Sequence, residues 1–328
     1  MNIHEKTNWI CPEGYVVPDF IIAGAMKCGT STVHALLNTH EKVFIPDSEI
    51  NFFDIDDLFQ HADFFSFNGS WHWPNISVNP DSYWKWYQSF FKDAPTDCLI
   101  GEDSTCYLPS ARAPKRIAIQ PKPIKVIICL RNPVARAYSQ YWHMLRTGRA
   151  MFSFEDTIRF TPDYVLQRSM YLEQVQRFTG SISKSQIFFF VLEDFLARKE
   201  QVASNLLCFL GLDEAQMPSG ALETHTNRAT FPRHVELYAL KNRILRTVGN
   251  TNYFGKLPFQ TADRKSVPWL VRGIERLHSK FNPLSPRDTP PMKDSTKNFL
   301  VSFFRTELRG LSEIVGVDLD GLWFTNER

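Results

Sequence analysis

The stretch GAMKCGTST, Gly24 to Thr32, carries two glycines at the spacing of a phosphate-binding loop, G-x-x-x-x-G-K-[ST]. Thr30 stands where the lysine of that pattern belongs, and a lysine appears three places earlier, at Lys27. A glycine loop between a strand and a helix cradles phosphate because its backbone N–H groups and the helix N-terminus point at the anion. An ordinary glycine turn entering a helix is the plain alternative, against which stands the clustering of Lys27, Gly29, Thr30, Ser31 and Thr32. About a hundred residues on, the apolar run VIICL ends in Arg131. A nucleoside triphosphatase would present a Mg²⁺-binding carboxylate at such a strand end, whereas an arginine matches a phosphate bidentately and binds no metal. Arg136, Ser139 and His143 follow at i, i+3 and i+7, one helical face. Ser139 can join Arg131 on a second anion, with Arg136 and His143 equally readable as solvated or packed residues. Two separate anionic groups and no metal ligand are the chemistry these residues suit.

The elements around them explain why they would converge. FIIAG is a short β-branched run ended by glycine, and Val33, Leu36 and Leu37 recur with helical spacing from Thr30 to His40. KVIICL repeats the pattern, with Asn132 as N-cap and Pro133 in the first turn of a helix reaching about Arg146. KVFI (Lys42 to Ile45), CLIGE (Cys98 to Glu102) and QIFFFVLED (Gln186 to Asp194) read as further strands, the last followed by a helix through Ser204 to Leu210. Apolar strands alternating with helices predict an α/β fold of the P-loop type, three layers with a central parallel sheet flanked by helices. Ligands in such sheets lie at the carboxyl ends of the strands. Beyond Asn227 prolines punctuate the chain and only Phe299 to Ile314 reads as a clear helix. A single domain is expected, with residues 18–212 as nucleotide-binding core and 213–328 as an irregular, helix-containing part packing on it.

Bulk properties narrow the partners. The 328 residues carry a formal net charge of +2 with cations and anions intermixed, which argues against general nucleic-acid binding. The six cysteines form no C-x-x-C pair and read as reduced thiols, several in apolar runs. No apolar signal core opens the sequence and no run is long enough to cross a bilayer, so a soluble, cytoplasmic protein is expected. Oligomeric state is not legible.

A nucleotide with a diphosphate-like end and a second, separate phosphate is 3′-phosphoadenosine-5′-phosphosulfate (PAPS). PDFIIAGAMKCGTST followed by VIICLRNPVARAYSQYWH resembles the PAPS-dependent sulfotransferase family, in its glycan and bacterial branch. QRSMYLEQVQRF, IFFFVLEDF with ASNLLCFLGL, and LSEIVGVDLDGLW extend the resemblance over roughly residues 18–212 and the last thirty. It implies that Lys27, Cys28, Gly29, Thr30, Ser31 and Thr32 wrap the 5′-phosphosulfate and that Arg131 and Ser139 hold the 3′-phosphate. It also implies that Glu49, in EINFFD, is the general base, and that NRATFPR, with Asn227, Arg228 and Arg233, is a basic loop over the nucleotide. Donor PAPS, product PAP and no metal follow. Lys27, near the oxygen bridging phosphate and sulfate, would stabilise the leaving group. Glu49 would take the proton of an attacking alcohol; otherwise it is a surface acid before the apolar Phe52-Phe53 pair.

Two positions depart from the heparan-type branch: Asn51 replaces a histidine, and Asp103, in GEDSTCYL, replaces a lysine. An acid there disfavours a polyanionic acceptor and suits a neutral or cationic one, unless Asp103 faces away or caps a turn. Trp84, Tyr87 and Phe91 have the spacing of core residues, whereas Trp71 and Trp73, in SWHWP, are candidate walls for an acceptor. The expected function is transfer of a sulfuryl group to a hydroxyl of a small natural product or glycan. A metal-dependent P-loop kinase or nucleotidase and a non-catalytic nucleotide-binding protein are the competing readings.

Overall fold

The computed structural model describes residues 7–67, 69–218, 220, 222, 230–248 and 269–324. The chain divides into two compact units, one of Met1–Arg131, Tyr171–His225 and Gly310–Leu322, the other of Asn132–Met170, Thr226–Arg309 and Trp323–Arg328.

The first unit is built on a five-stranded sheet. Its strands are β1 (Phe20–Gly24), β2 (Val43–Phe44), β3 (Leu99–Asp103), β4 (Lys125–Leu130) and β5 (Ile187–Val191), in the order β2-β3-β1-β4-β5. All pairings are parallel. The near-continuous apolar runs are buried on both faces: Phe20, Ile21, Ile22, Val126, Ile127 and Ile128 have no exposure at all. Gly101 is required by packing, because a Cβ there would enter the space filled by the Phe20 ring and by Ile45. The central strand β1 has β3 on one side and β4 on the other, and this switch of direction opens a crevice at its carboxyl end. The loop after β1, Ser104 after β3 and Arg131 after β4 are thereby brought to one edge of the sheet.

Helix α1 (Thr30–Asn38) buries Val33, Leu36 and Leu37 as the spacing predicts. Helix α2 (Pro80–Ser89) has Asn79 as side-chain N-cap and Pro80 at its start. It places Trp84 and Tyr87 in the core, with Phe91 just beyond its end. The Tyr87 ring stacks on Phe52 at 4.3 Å between centroids and 18° between planes.

Two boundaries differ from the sequence reading. The strand expected over 186–194 stops at Val191, and the acids Glu193 and Asp194 lie in the first turn of a helix, Leu192–Ala197, where they favour the positive end of its dipole. The helix expected over 299–314 is instead Asp294–Glu307 followed by a short one, Leu311–Val315, with Gly310 at φ 92° between them.

The second unit contains α3 (Pro133–Arg146), whose N-cap Asn132 accepts from the amides of Val134 and Ala135 at 3.0 and 3.1 Å. It also holds helices Val235–Val248 and Trp269–Phe281, hidden from sequence reading by the surrounding prolines, and an antiparallel pair of short strands, Thr230–Pro232 with Leu284–Pro286. Arg136 is wholly buried and donates to the Val165 carbonyl and the Ser169 hydroxyl, each at 3.0 Å, so it is a packing residue of this unit. Among the described residues no helix is long and apolar enough to cross a membrane.

Candidate active site

The glycine loop leaves β1 at Gly24, whose φ of 112° and closeness to the Thr105 carbonyl leave no room for a Cβ. The loop then turns under constraint: the Ala25 amide donates to the Cys129 carbonyl at 2.8 Å and the Cys28 amide to the Ala25 carbonyl at 3.2 Å. Lys27 has φ 69°, a left-handed conformation uncommon for a side chain of this kind, and Gly29 closes the loop at φ 90°. No side chain caps the helix that follows. The first-turn amides at Thr30 and Ser31 therefore face the loop mouth without an internal competitor, which fits an anionic group at the helix start. Thr30 and Cys28 are buried; Lys27 and Gly29 are half-buried; Ser31 is exposed and Thr32 half-buried.

Arg131, at the end of β4, reaches this loop directly. Its Nη1 donates to the Lys27 carbonyl oxygen at 3.3 Å. Tyr171 joins the two from a third direction: its hydroxyl donates to the Arg131 carbonyl at 3.0 Å and lies 3.4 Å from Cys28 Sγ. Sequence reading gave Tyr171 no role, although it stands within the quoted QRSMYLEQVQRF. Its burial, which the polar residues around it in the sequence do not signal, is what requires a polar partner for the hydroxyl.

Glu49 is exposed at the rim, while the residues after it are pinned in the core. Both carboxylate oxygens accept from Thr105 Oγ1, at 3.0 and 3.1 Å. Phe52 and Phe53 are completely buried, and Arg116 donates to the Phe53 carbonyl at 2.9 Å while gripping Asp56 bidentately at 2.6 and 2.9 Å. Asn51 is the other non-glycine residue with positive φ among those described, at 55°. Its amide donates to Ser104 Oγ at 2.8 Å, and its Oδ1 is a buried acceptor with no hydrogen-bond partner.

Strand alternation sends Glu102 and Asp103 to opposite faces of β3. Glu102 is fully buried and accepts from the hydroxyls of Tyr87, Tyr107 and Ser104 at 2.6, 2.5 and 2.7 Å. Burial nevertheless outweighs those three hydrogen bonds and pushes its carboxyl up to about 7. Asp103, which the sequence left between an acceptor contact and a packed residue, is buried; its Oδ2 lies 3.3 Å from His34 Nδ1 on α1, and its Oδ1 has no partner.

Trp71 and Trp73 are 61% and 50% exposed, and Trp71 sits on a small hairpin of Ser66–Phe67 and Trp71–His72, against the Phe67 ring. In the second unit Ser139 is half-buried in the second turn of α3, and Arg233 is exposed beside the strand Thr230–Pro232. Asn227 and Arg228 lie outside the described residues. Among the described residues no three His, Cys, Asp or Glu side chains are grouped to hold a metal ion.

Comparison with known proteins decides what such a site belongs to. The family model described as "Sulfotransferase domain" matches residues 17–256. The chain belongs to the sulfotransferase family. Its matched span includes the glycine loop, the Glu49 segment, Arg131 and Tyr171. Curated relatives include the bifunctional heparan sulfate N-deacetylase/N-sulfotransferase 2 of Bos taurus, 35% identical over 135 residues, which are 40% of this chain and 13% of that protein. The corresponding enzyme 1 of Xenopus laevis is 26% identical over 235 residues, 66% of this chain and 24% of the relative. This sulfotransferase chain thus spans less than a quarter of the length of those relatives. Among solved structures, a sulfotransferase from Alicyclobacillus acidocaldarius superposes with a TM-score of 0.57 at 20% identity, covering 94% of this chain and 99% of that one, which establishes the fold.

Proposed function

We propose that this sulfotransferase moves a sulfuryl group from PAPS to a hydroxyl of a small natural product or a glycan, with Glu49 as general base. The observation that carries the reading is the position of Glu49: a carboxylate at the rim, fixed by Thr105, whose backbone in turn abuts Gly24 at the root of the glycine loop. Base and donor loop are thus held through one residue, and in-line transfer needs the attacking oxygen and the sulfuryl group ordered in that way.

The loop residues fit the donor. The uncapped first turn of α1, with Lys27 in a left-handed conformation just before it, offers N–H groups and one cation to the 5′-phosphosulfate. Cys28, Gly29, Thr30, Ser31 and Thr32 supply the wrap. Lys27 balances the charge that grows on the oxygen between phosphate and sulfate. Arg131 takes the 3′-phosphate of PAPS and of the product PAP, with Ser139, Asn227, Arg228 and Arg233 assigned to the nucleotide by sequence resemblance. No step requires a metal ion. The whole chain works in this reading as one catalytic domain in a cytoplasmic setting.

On the acceptor side, Asn51, Trp71, Trp73 and Asp103 form the assigned set. A buried acid with an unpartnered oxygen, where the heparan-type pattern has lysine, favours a neutral or cationic molecule over a polyanion. The test is sulfate transfer from labelled PAPS to a neutral phenol, a neutral oligosaccharide, a cationic chitosan oligosaccharide and polyanionic heparosan, followed by mass. Glu49→Gln is expected to lower kcat about 10²–10⁴-fold while binding of PAP is retained. Transfer at the parental rate in Glu49→Gln removes the base assignment; preference for heparosan removes the acceptor class; sulfation at nitrogen alone removes the hydroxyl assignment.

A further inference from the structure

Glu102 is a fully buried carboxylate beside the site, and the reaction as described makes no use of it. Oε1 accepts from two hydroxyls, Ser104 Oγ at 2.7 Å and Tyr107 Oη at 2.5 Å, and Oε2 accepts from Tyr87 Oη at 2.6 Å. While Glu102 is ionised, the two hydroxyls on Oε1 donate their protons to the carboxylate and are therefore acceptors for anything else. Each accepts one backbone amide: Ser104 Oγ that of Asn51, at 2.8 Å, and Tyr107 Oη that of Phe53, at 3.0 Å. A single buried oxygen thus orders two amides, two residues apart, on the segment that follows Glu49.

The segment needs such a brace. Asn51 is held at φ 55°, a left-handed conformation uncommon for a residue with a Cβ, although asparagine tolerates it better than most. A strained turn persists only where its surroundings over-determine it, and two relayed hydrogen bonds into a dry carboxylate do so. The next residue along the chain, Thr105, fixes the Glu49 carboxylate itself. One short stretch, residues 102–107, therefore sets both the backbone and the side chain of the proposed base.

We propose that Glu102 is a positioning residue for sulfuryl transfer, acting through Ser104 and Tyr107 to hold the backbone after Glu49 in its strained turn and so to aim the Glu49 carboxylate. The inference rests on the reading of Glu49 as general base. It differs from a purely structural role in a definite way: it assigns a consequence to the direction of the hydrogen bonds and not only to their number. Glu102→Gln keeps shape and one acceptor oxygen. With that oxygen at the Oε1 position both relay hydroxyls still donate and only Tyr87 must turn round, whereas the opposite orientation sets an NH₂ group against both relay hydroxyls. Ser104→Ala removes a single relay at small steric cost, and Ser104→Thr restores the hydroxyl.

The experiment combines amide exchange with a double-mutant cycle. Hydrogen–deuterium exchange with PAP bound, resolved at Asn51 and Phe53, is measured for the parent, Ser104→Ala, Ser104→Thr and Tyr107→Phe. Faster exchange at Asn51 in Ser104→Ala, at Phe53 in Tyr107→Phe, and recovery in Ser104→Thr are expected. In the transfer assay, with the best acceptor of the panel, Ser104→Ala is expected to lower kcat by about 10- to 100-fold, with KM for PAPS within threefold and kcat recovered in Ser104→Thr. In a Glu49→Gln background the same change should cost less than threefold, because the group being aimed has gone. A full kcat loss for Ser104→Ala in both backgrounds overturns positioning through Glu49. Unchanged exchange at both amides overturns the relay, whatever the activity. If Glu49→Gln leaves kcat intact while the amides respond, the base assignment fails and the brace stands as structure without the catalytic consequence, which also overturns the proposal. Glu102→Gln is read last, since a folding defect there leaves the Ser104 results decisive.

Discussion

Arg131 Nη1 lies 3.3 Å from the carbonyl oxygen of Lys27, so the arginine assigned to one end of the donor also holds the loop assigned to the other. A charge-assisted hydrogen bond of this kind contributes roughly 1.5–3 kcal/mol. One guanidinium has five donors, and this contact uses one of them.

Arg131→Lys should therefore fail on two counts. Lysine keeps the charge but loses the planar fork that can hold a backbone carbonyl and a phosphate together. Affinity for PAP, measured by calorimetry, is expected to fall about 10- to 100-fold. Affinity for adenosine 5′-phosphosulfate, which lacks the 3′-phosphate, should fall less, by the share due to the loosened loop. Equal losses for the two ligands would show that Arg131 serves the loop alone.

Lys27 offers a separable test of charge and backbone. Its left-handed φ of 69° disfavours any residue with a Cβ and is easy for glycine. Lys27→Ala and Lys27→Gly both remove the cation at the proposed leaving oxygen and are expected to lower kcat about 10²–10³-fold. They should differ in stability: the glycine variant, relieved of the left-handed strain, should melt higher than the alanine variant. Both should keep PAP binding within about tenfold, since PAP carries no sulfuryl group. Equal kcat loss with PAP binding abolished would place Lys27 on the phosphates instead.

What was legible in the sequence follows from what each signal encodes. The strands FIIAG and KVIICL and the loop between strand and helix could be read because burial on both faces writes an unbroken apolar run and a phosphate loop needs glycine. Asn132 and Pro133 were legible as cap and first turn for the same local reason, and the structure shows both capping contacts. Helices Val235–Val248 and Trp269–Phe281 were missed because proline-rich neighbours masked their periodicity. The Glu102 hub was missed for a different cause. Its three hydroxyl partners come from positions 87, 104 and 107, and their meeting depends on how β3 lies against α2 and the following turn, which no spacing along the chain reports. Alternation along GEDS did carry one usable hint, that Glu102 and Asp103 face opposite ways.

The raised Glu102 carboxyl makes a prediction about stability and pH. Its pKa in the native protein, about 7, lies above the 4.5 of an unburied glutamate, and the cause is burial, opposed by the three hydroxyl donors. Below pH 4.5 the group is protonated whether the chain is folded or not, and its contribution is fully present. As pH rises from 4.5 to about 7 the unfolded chain gives up the proton while the native one keeps it, so stability falls across that window. Above about 7 both states are ionised and the loss is complete, on the order of 3 kcal/mol. Asp54, also raised by burial and hydrogen-bonded to His61 at 2.8 Å, acts in the same direction. Glu102→Gln cannot titrate, so the decline in melting temperature between pH 5 and 7.5 should be shallower than in the parent, with the Asp54 share remaining. Thermal melts of the two proteins across that range decide the point: parallel curves would mean that Glu102 titrates like an exposed carboxylate, and that its cluster of three hydroxyls outweighs its burial.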